Sequence, residues 1–301
     1  VDVHLTRVSS GREHVVLVEV AALKTYVPPG DLDQYYMFAS GGHSGQVYVY
    51  GIPSMRHLST IPVFTPYPAT GYGFDDESKK MLGDLTWGDA HHPALSETKG
   101  DYDGRWLFIN EMNGRIARID LRDFKTKQIL GPVPNLHGNH GSSFVTPNTE
   151  YAMMATRFSV PVPQRPVGID KYATEYKGIV AGVKIDPQSD EMSLGWEILM
   201  PPFDYDIGDA GKLVSDGWMF FTSYNTERAT GKLEVTASQR DRDYIAAVDW
   251  RAAEKAIAAG LGDMIGGVRV LDPAKVPGLV YLMPCGKSPH GVDVSPDGKY
   301  I

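Results

Sequence analysis

Asp103-Gly-Arg-Trp-Leu-Phe108 and Asp297-Gly-Lys-Tyr-Ile301 share one pattern, a tight polar turn that runs into a strand. A histidine precedes each copy: His92 stands twelve residues before Gly104, and His290 eight before Gly298. A looser third copy leads from His140-Gly141 through Phe144-Val145 and Pro147 to Tyr151, as His290-Gly291 leads through Val292, Val294 and Pro296 to Tyr300. His92 and His140 are 48 residues apart and His140 and His290 are 150 apart, close to one and three units of about 50. That unit suits four-stranded propeller blades, whose corresponding positions converge on a common axis. The expectation is an all-β chain, an incomplete β-propeller of about six blades over residues 1–301. A β-sandwich or jelly roll could use the same strands but leaves the 48 and 150 spacing unexplained.

The rest of the chain agrees with many short strands. The 32 glycines and 21 prolines punctuate runs rich in β-branched and aromatic residues: Gln46–Tyr50, Trp106–Ile109, Arg115–Leu121, Tyr151–Thr156, Ile179–Ile185, Trp218–Tyr224 and Tyr244–Trp250. Only the Ala-rich run Arg251–Leu261, which ends before Gly262, reads as a helix.

Hydrophobic residues at 42% and charged residues at 22% are globular proportions, and 29 basic against 37 acidic residues give a net charge of −8, a poor match for nucleic acid. The stretch nearest to a membrane span, Val15–Leu23, is short and broken by Glu19. With Cys285 as the one cysteine, an intrachain disulfide and Cys-rich zinc, iron-sulfur or thiolate-copper sites are excluded, so a metal here must use imidazole or oxygen. The chain opens on Val1 without a leader and stops at Ile301 inside an expected strand, which reads as a fragment.

Trp87-Gly-Asp-Ala-His-His-Pro93 is the most informative stretch for chemistry. Adjacent histidines in a regular strand face opposite sides, so both can reach one site only where the backbone bends, and Pro93 supplies an irregularity. Taken alone the pair reads as a polar loop. With His140 and His290 at matching positions, shared metal ligation by His91, His92, His140 and His290 is the better reading. Such a set suits copper, zinc, iron or nickel. Asp89 could orient an imidazole from behind, or be an ordinary turn residue. His4, His14, His43, His57 and His137 fall outside the repeat frame; His43 reads as a turn residue in a flexible loop, and His137 as a surface histidine despite its spacing to His140.

Tyr224-Asn-Thr-Glu227 with Asp243, and Asp241 nearby, could supply oxygens for calcium. The acidic run Asp204-Tyr-Asp206-Ile-Gly-Asp209 reads as caps and Asx turns. There is no G-x-S-x-G elbow, P-loop or H-E-x-x-H motif, and Cys285 has no activating base in its context. A mononuclear-metal lyase or hydrolase and a non-catalytic binding scaffold are the alternatives to a redox metal centre.

Gly88-Asp-Ala-His-His-Pro93, Asp101-Tyr-Asp-Gly-Arg-Trp-Leu-Phe-Ile-Asn110 and Arg115-Ile-Ala-Arg-Ile-Asp120 together resemble the N-terminal propeller of the nitrous oxide reductase family. His140-Gly141, Ser223-Tyr-Asn-Thr-Glu-Arg228, Asp241-Arg-Asp-Tyr244 and Lys287-Ser-Pro-His-Gly291 follow in the family's order, so the resemblance covers nearly the whole chain. It implies a seven-bladed propeller around a four-copper, sulfide-bridged cluster held by seven histidines, where nitrous oxide is reduced to dinitrogen and water as the last step of denitrification. His91, His92, His140 and His290 match four of those ligands. The other three, and a cupredoxin domain with a dinuclear copper site, would lie beyond Ile301, so this piece alone is expected to be inactive. The resemblance also implies calcium at Tyr224, Glu227 and Asp243, and outer carboxylates at Asp89 and, on a weaker match, Asp206. Ser288 stands where many members have Asn, which bears on a further calcium contact. Implied too are a periplasmic location, a head-to-tail homodimer and an electron donor such as a c-type cytochrome or cupredoxin.

Overall fold

The computed structural model describes residues 23–141, 143–224, 243–286 and 289–301. They hold seventeen strands: β1 Tyr35–Ser40, β2 Gln46–Ile52, β3 His57–Pro62, β4 Ala90–Thr98, β5 Asp101–Glu111, β6 Arg115–Asp120, β7 Lys125–Leu130, β8 Tyr151–Ala155, β9 Val160–Pro161, β10 Tyr176–Ile185, β11 Met192–Met200, β12 Asp204–Ala210, β13 Trp218–Tyr224, β14 Tyr244–Asp249, β15 Asp263–Ile265, β16 Val268–Leu271 and β17 Val280–Pro284. The described helices are short, the longest of them being Trp250–Ala258, and none is long and apolar enough to cross a membrane.

The chain divides into two compact units. The first takes the described residues up to Ala39 together with Val47–Ile61, and carries most of the sheet β1-β2-β3. In β2 alternate residues, Val47, Val49 and Gly51, are buried, the period-two pattern of a strand with one covered face. Gly51 leaves room for Asp33, whose carboxylate would collide with any side chain there and which pairs with Arg56 at 2.8 Å.

The second unit, Ser40–Gln46 and Pro62–Ile301, contains three successive sheets in the orders β4-β5-β6-β7, β8-β10-β11-β16-β15 and β12-β13-β14-β17. Each has a core of antiparallel pairs, the organisation of propeller blades, with β16 joining β11 in parallel in the second sheet and β17 completing the third from further along the sequence, and the chain is an all-β propeller protein. Blade stacking explains why the central strands read as continuous apolar runs rather than alternating ones. Along β8, Tyr151, Met153 and Ala155 join one core, with Trp196, Phe221 and Trp250, while Ala152 and Met154 join another, with Phe108, Ile116 and Ile179. Both faces are covered, and each large side chain so buried contributes about 1.5–3 kcal/mol.

Two expectations are amended. Among the described residues there are four sheets, where about six blades were expected from length. The last sheet accounts for much of the difference, since helix Trp250–Ala258 and hairpin β15–β16 lie between its third and fourth strands and stretch it from Asp204 to Pro284. The turn before the β5 core is also earlier than expected: it is Lys99-Gly100, both at positive φ (57° and 82°), whereas Asp103-Gly104 lies inside β5. There Asp103 accepts hydrogen bonds from the Ser96 hydroxyl and the Arg105 N–H, fixing a register shift between Leu95 and Glu97. Asp297-Gly298 is a true turn, closed by Gly298 N–H donating to the Ser295 carbonyl at 2.8 Å.

One buried acid makes stability pH-dependent. Glu197 on β11 is fully buried; Asn135 Nδ2 donates to one oxygen at 2.9 Å, and the other has no hydrogen-bond partner. Burial pushes its carboxyl up to about 7, with the Asn135 bond opposing. The folded chain therefore holds a proton between about pH 4.5 and 7 that the unfolded chain has lost, so stability falls as pH rises through that window. Glu197→Gln should flatten the decline between pH 5 and pH 8 by roughly 1–3 kcal/mol in urea titrations. Equal slopes in variant and wild type would dismiss Glu197 as the source.

Candidate metal centre

The first strands of the first and third of these sheets carry the site, and both are bulged where they do so. In β4 the register passes from His91↔Asn110 to Ala94↔Phe108, so His92 and Pro93 together oppose Ile109. His92 adopts a left-handed φ of 48°, uncommon outside glycine, and this turns its ring to the same side as that of His91. In β12 the register passes from Tyr205↔Ser223 to Gly208↔Phe221, so Asp206 and Ile207 oppose Thr222. The run read as caps and Asx turns is thus a strand, and its bulge places the Asp206 carboxylate among the histidines.

His140 and His290 come from the segments that enter the next first-strand positions. Residues 144–146 pair with β8 through Met153 N–H to the Phe144 carbonyl (3.0 Å) and Thr146 N–H to the Tyr151 carbonyl (3.0 Å). Val294 N–H donates to Asp209 Oδ2 at 2.9 Å, tying the segment after His290 to β12. Gly141 is required at its place: a Cβ there would lie 2.5 Å from the Asp206 carbonyl oxygen, and this close approach sets His140 beside Asp206. Asn110 Nδ2 donates to the Gly141 and Met153 carbonyls (both 3.3 Å) from the position opposite His91.

The rings converge. Centroids of His91 and His140 are 4.3 Å apart, His92 and His140 5.5 Å, His91 and His92 5.8 Å, and His92 and His290 6.2 Å. One ligand nitrogen each from His91, His92 and His140 lies within 4.8 Å of the others. Behind them stand the two acids. His91 Nε2 is 2.8 Å from Asp89 Oδ1, and His140 Nδ1 is 3.1 Å from Asp206 Oδ1, which leaves His91 Nδ1 and His140 Nε2 without a carboxylate partner. Asp206 Oδ2 takes Arg157 at 2.6 Å, with His290 Nε2 at 3.6 Å. Burial works against the Asp206 carboxylate, but His140 and Arg157 outweigh it and hold its pKa below the usual range. Burial, then the neighbouring imidazoles, lowers His92 to about 4, so its ring is neutral at pH 7, the form that binds a metal.

His137 is exposed and outside this cluster. His43 is in a turn, as expected, but its ring stacks on Trp87 and reaches Asp89, a contact that its sequence context did not announce. Cys285 is structural in its contacts: its N–H donates to the Asp243 carbonyl (3.0 Å), and burial pushes its thiol up. Of the calcium set, Tyr224 closes β13 and Asp243 is buried just before β14. Glu227, Asp241 and Ser288 lie outside the described residues, as do His4 and His14.

Fold and site together define a propeller-type chain with an imidazole-lined candidate metal centre braced by carboxylates. Its relatives are nitrous-oxide reductases: the chain is 36% identical to the one from Pseudomonas fluorescens over 293 residues and 36% identical to the one from Stutzerimonas stutzeri over 302 residues. These matches take in 93% and 94% of this chain but 44% and 45% of the relatives, so the chain spans under half their length. No protein-family profile matches. Among solved structures, hydrazine synthase of Kuenenia stuttgartiensis aligns over 91% of this chain and 57% of its own at 11% identity and TM-score 0.48.

Proposed function

We propose that His91, His92, His140 and His290 are copper ligands in a multinuclear copper-sulfide cluster that reduces nitrous oxide to dinitrogen and water. The observation that carries the proposal is the convergence of three imidazoles, with ligand nitrogens within 4.8 Å, in a site without cysteine. The donor set fits: neutral imidazoles suit copper, and two of them have their outward nitrogen beside a carboxylate. A bound cluster of this kind supplies electron density and several contact points for an inert linear molecule. The chain's own part is placement. Asp89 and Asp206 set which nitrogen of His91 and His140 faces inward, and Arg157 fixes Asp206.

The wider reading belongs to the same proposal: a periplasmic homodimer that takes electrons from a cytochrome c or cupredoxin, with three further histidines and a dinuclear copper domain outside this chain. So does calcium at Tyr224, Glu227 and Asp243, to which the buried Asp243 carboxylate is suited, since a buried carboxylate is stable beside a cation.

A second reading has a specific basis, since three imidazoles within 4.8 Å are also the donor set of a catalytic mononuclear zinc. Metal counting on the full-length protein separates the two. The copper reading expects several coppers per chain, calcium, and the visible absorption of copper-sulfide bonds. One zinc per chain and a colourless protein would overturn it in favour of a lyase or hydrolase, and absence of bound metal would leave a binding scaffold.

A further inference from the structure

We propose that His43 is a positioning residue for the metal centre, the outer member of a chain His43–Asp89–His91 in which one carboxylate fixes two imidazoles. The inference rests on the metal-binding reading of His91, but its local claim, the tautomer of His91, can be measured without metal.

Three strands of geometry lead to it. The first is the turn itself. Ser44 N–H donates to the Gly41 carbonyl (3.1 Å) and Gly45 N–H to the Gly42 carbonyl (3.0 Å), with both Gly42 and Gly45 at positive φ (54° and 65°). Gly45 packs so closely that a Cβ would lie 2.4 Å from Thr65 Oγ1 and 2.9 Å from the Gly88 carbonyl oxygen. The Gly42 carbonyl accepts the Ala90 N–H at 3.0 Å. The turn is therefore locked against the strand start that carries His91.

The second is Trp87. Its Nε1 donates to the His43 carbonyl at 3.0 Å, and the two rings are near parallel, 9° between planes with centroids 6.2 Å apart. An imidazole that is 82% exposed is thus held in one place by an aromatic face and a backbone bond.

The third is the division of the Asp89 carboxylate. Oδ1 lies 2.8 Å from His91 Nε2, and Oδ2 lies 3.4 Å from His43 Nδ1. Neither contact has the alignment of a hydrogen bond, Oδ1 being buried without a hydrogen-bond partner, so Asp89 acts on both rings as a close negative charge; it favours N–H on the nearer nitrogen of His91, Nε2, and leaves Nδ1 as the lone-pair nitrogen for a metal. At 3.4 Å the outer contact is longer than a well-formed hydrogen bond and acts chiefly as an electrostatic guide to the Asp89 rotamer. Without it, Oδ2 is free to turn towards solvent, and Oδ1 turns with it away from His91.

An exposed ion pair of ordinary kind contributes little, and its loss would leave His91 unchanged. The test therefore reads His91 directly. In the metal-free full chain with 15N-labelled histidine, long-range proton–nitrogen spectra, assigned by His91→Gln, should show His91 as the Nε2–H tautomer. His43→Ala should raise the Nδ1–H fraction several-fold, and His43→Asn, whose side-chain amide can still donate to Asp89, should restore most of the wild-type ratio. With Cu(II) alone as probe, His43→Ala should weaken binding about tenfold, the lower end of what loss of an outer partner costs. A tautomer ratio unchanged in His43→Ala overturns the proposal whatever the copper result. Failure of the wild-type chain to bind Cu(II), with the tautomer shift present, removes the metal reading and leaves the positioning claim standing. The substitution is at a largely exposed side chain, and an unchanged melting curve confirms that the fold is intact.

Discussion

Asp206→Ala should lower stability by about 3 kcal/mol and weaken Cu(II) binding by at least tenfold. The carboxylate has no exposed surface, and it serves Arg157, His140 and His290 at 2.6, 3.1 and 3.6 Å. The alanine variant removes the acid that orients His140 and leaves the guanidinium of Arg157, itself only 21% exposed, without this counter-charge. Asp206→Asn separates the two effects. Its amide oxygen can still accept from His140 Nδ1, so copper affinity should fall less, while its neutral side chain cannot replace the ion pair, so most of the stability loss should remain. Urea denaturation gives the first quantity and competitive Cu(II) titration the second, with the exposed Asp170→Ala as control. Copper affinity within twofold of wild type in Asp206→Ala would show that His140 does not depend on this carboxylate.

The same residue marks where sequence reading reached and where it stopped. A strand buried on both faces such as β8 announces itself, because every position is apolar and the burial follows from composition. The first strands of the blades do not. β12 contains Asp204, Asp206 and Asp209, residues depleted from strands in general, and read locally they favour caps and turns. What stabilises them is remote: Arg157 is 49 residues from Asp206, and Val294 is 85 residues from Asp209. β4 is masked in a similar way by Pro93 and two histidines, whose bulge is possible because β5 continues regularly opposite it.

The histidine spacing carried more than local propensity did. It anticipated that His91, His92, His140 and His290 would approach one another, although the blades are not of equal length. His43 was invisible to that logic, since it lies outside the frame. Its approach to Asp89 depends on the Gly42–Ala90 bridge, a long-range pairing that no periodicity encodes. The choice between Lys99-Gly100 and Asp103-Gly104 as the turn was likewise decided by a tertiary detail, the grip of Ser96 on Asp103.

Arg115→Ala is expected to be the most destabilising single change outside the cluster, at about 3–5 kcal/mol. Arg115 is 2% exposed, and its Nε donates to Glu111 Oε1 at 2.7 Å, a carboxylate that is itself fully buried. Its other nitrogens donate to the carbonyls of Leu85 (2.7 Å), Trp87 (2.8 Å) and Leu82 (3.4 Å), and the guanidinium lies 5.0 Å from the Phe64 ring centre. Truncation strands the Glu111 charge and leaves several carbonyls without this donor. Lysine cannot substitute, because one ammonium cannot span a carboxylate and carbonyls on several sides as a planar fork does, so Arg115→Lys should recover less than half of the loss. Arg115→Met combined with Glu111→Leu should be less damaging than Arg115→Ala, since removing both charges avoids an unpaired one. The carbonyls that Arg115 holds belong to the segment entering Gly88-Asp89, so copper affinity should fall together with stability in Arg115→Ala and recover only in part in the apolar double variant. A loss below about 1 kcal/mol in Arg115→Ala would mean that water replaces the guanidinium, and that the approach to the metal centre is held by the Gly42–Ala90 bridge and not by this arginine.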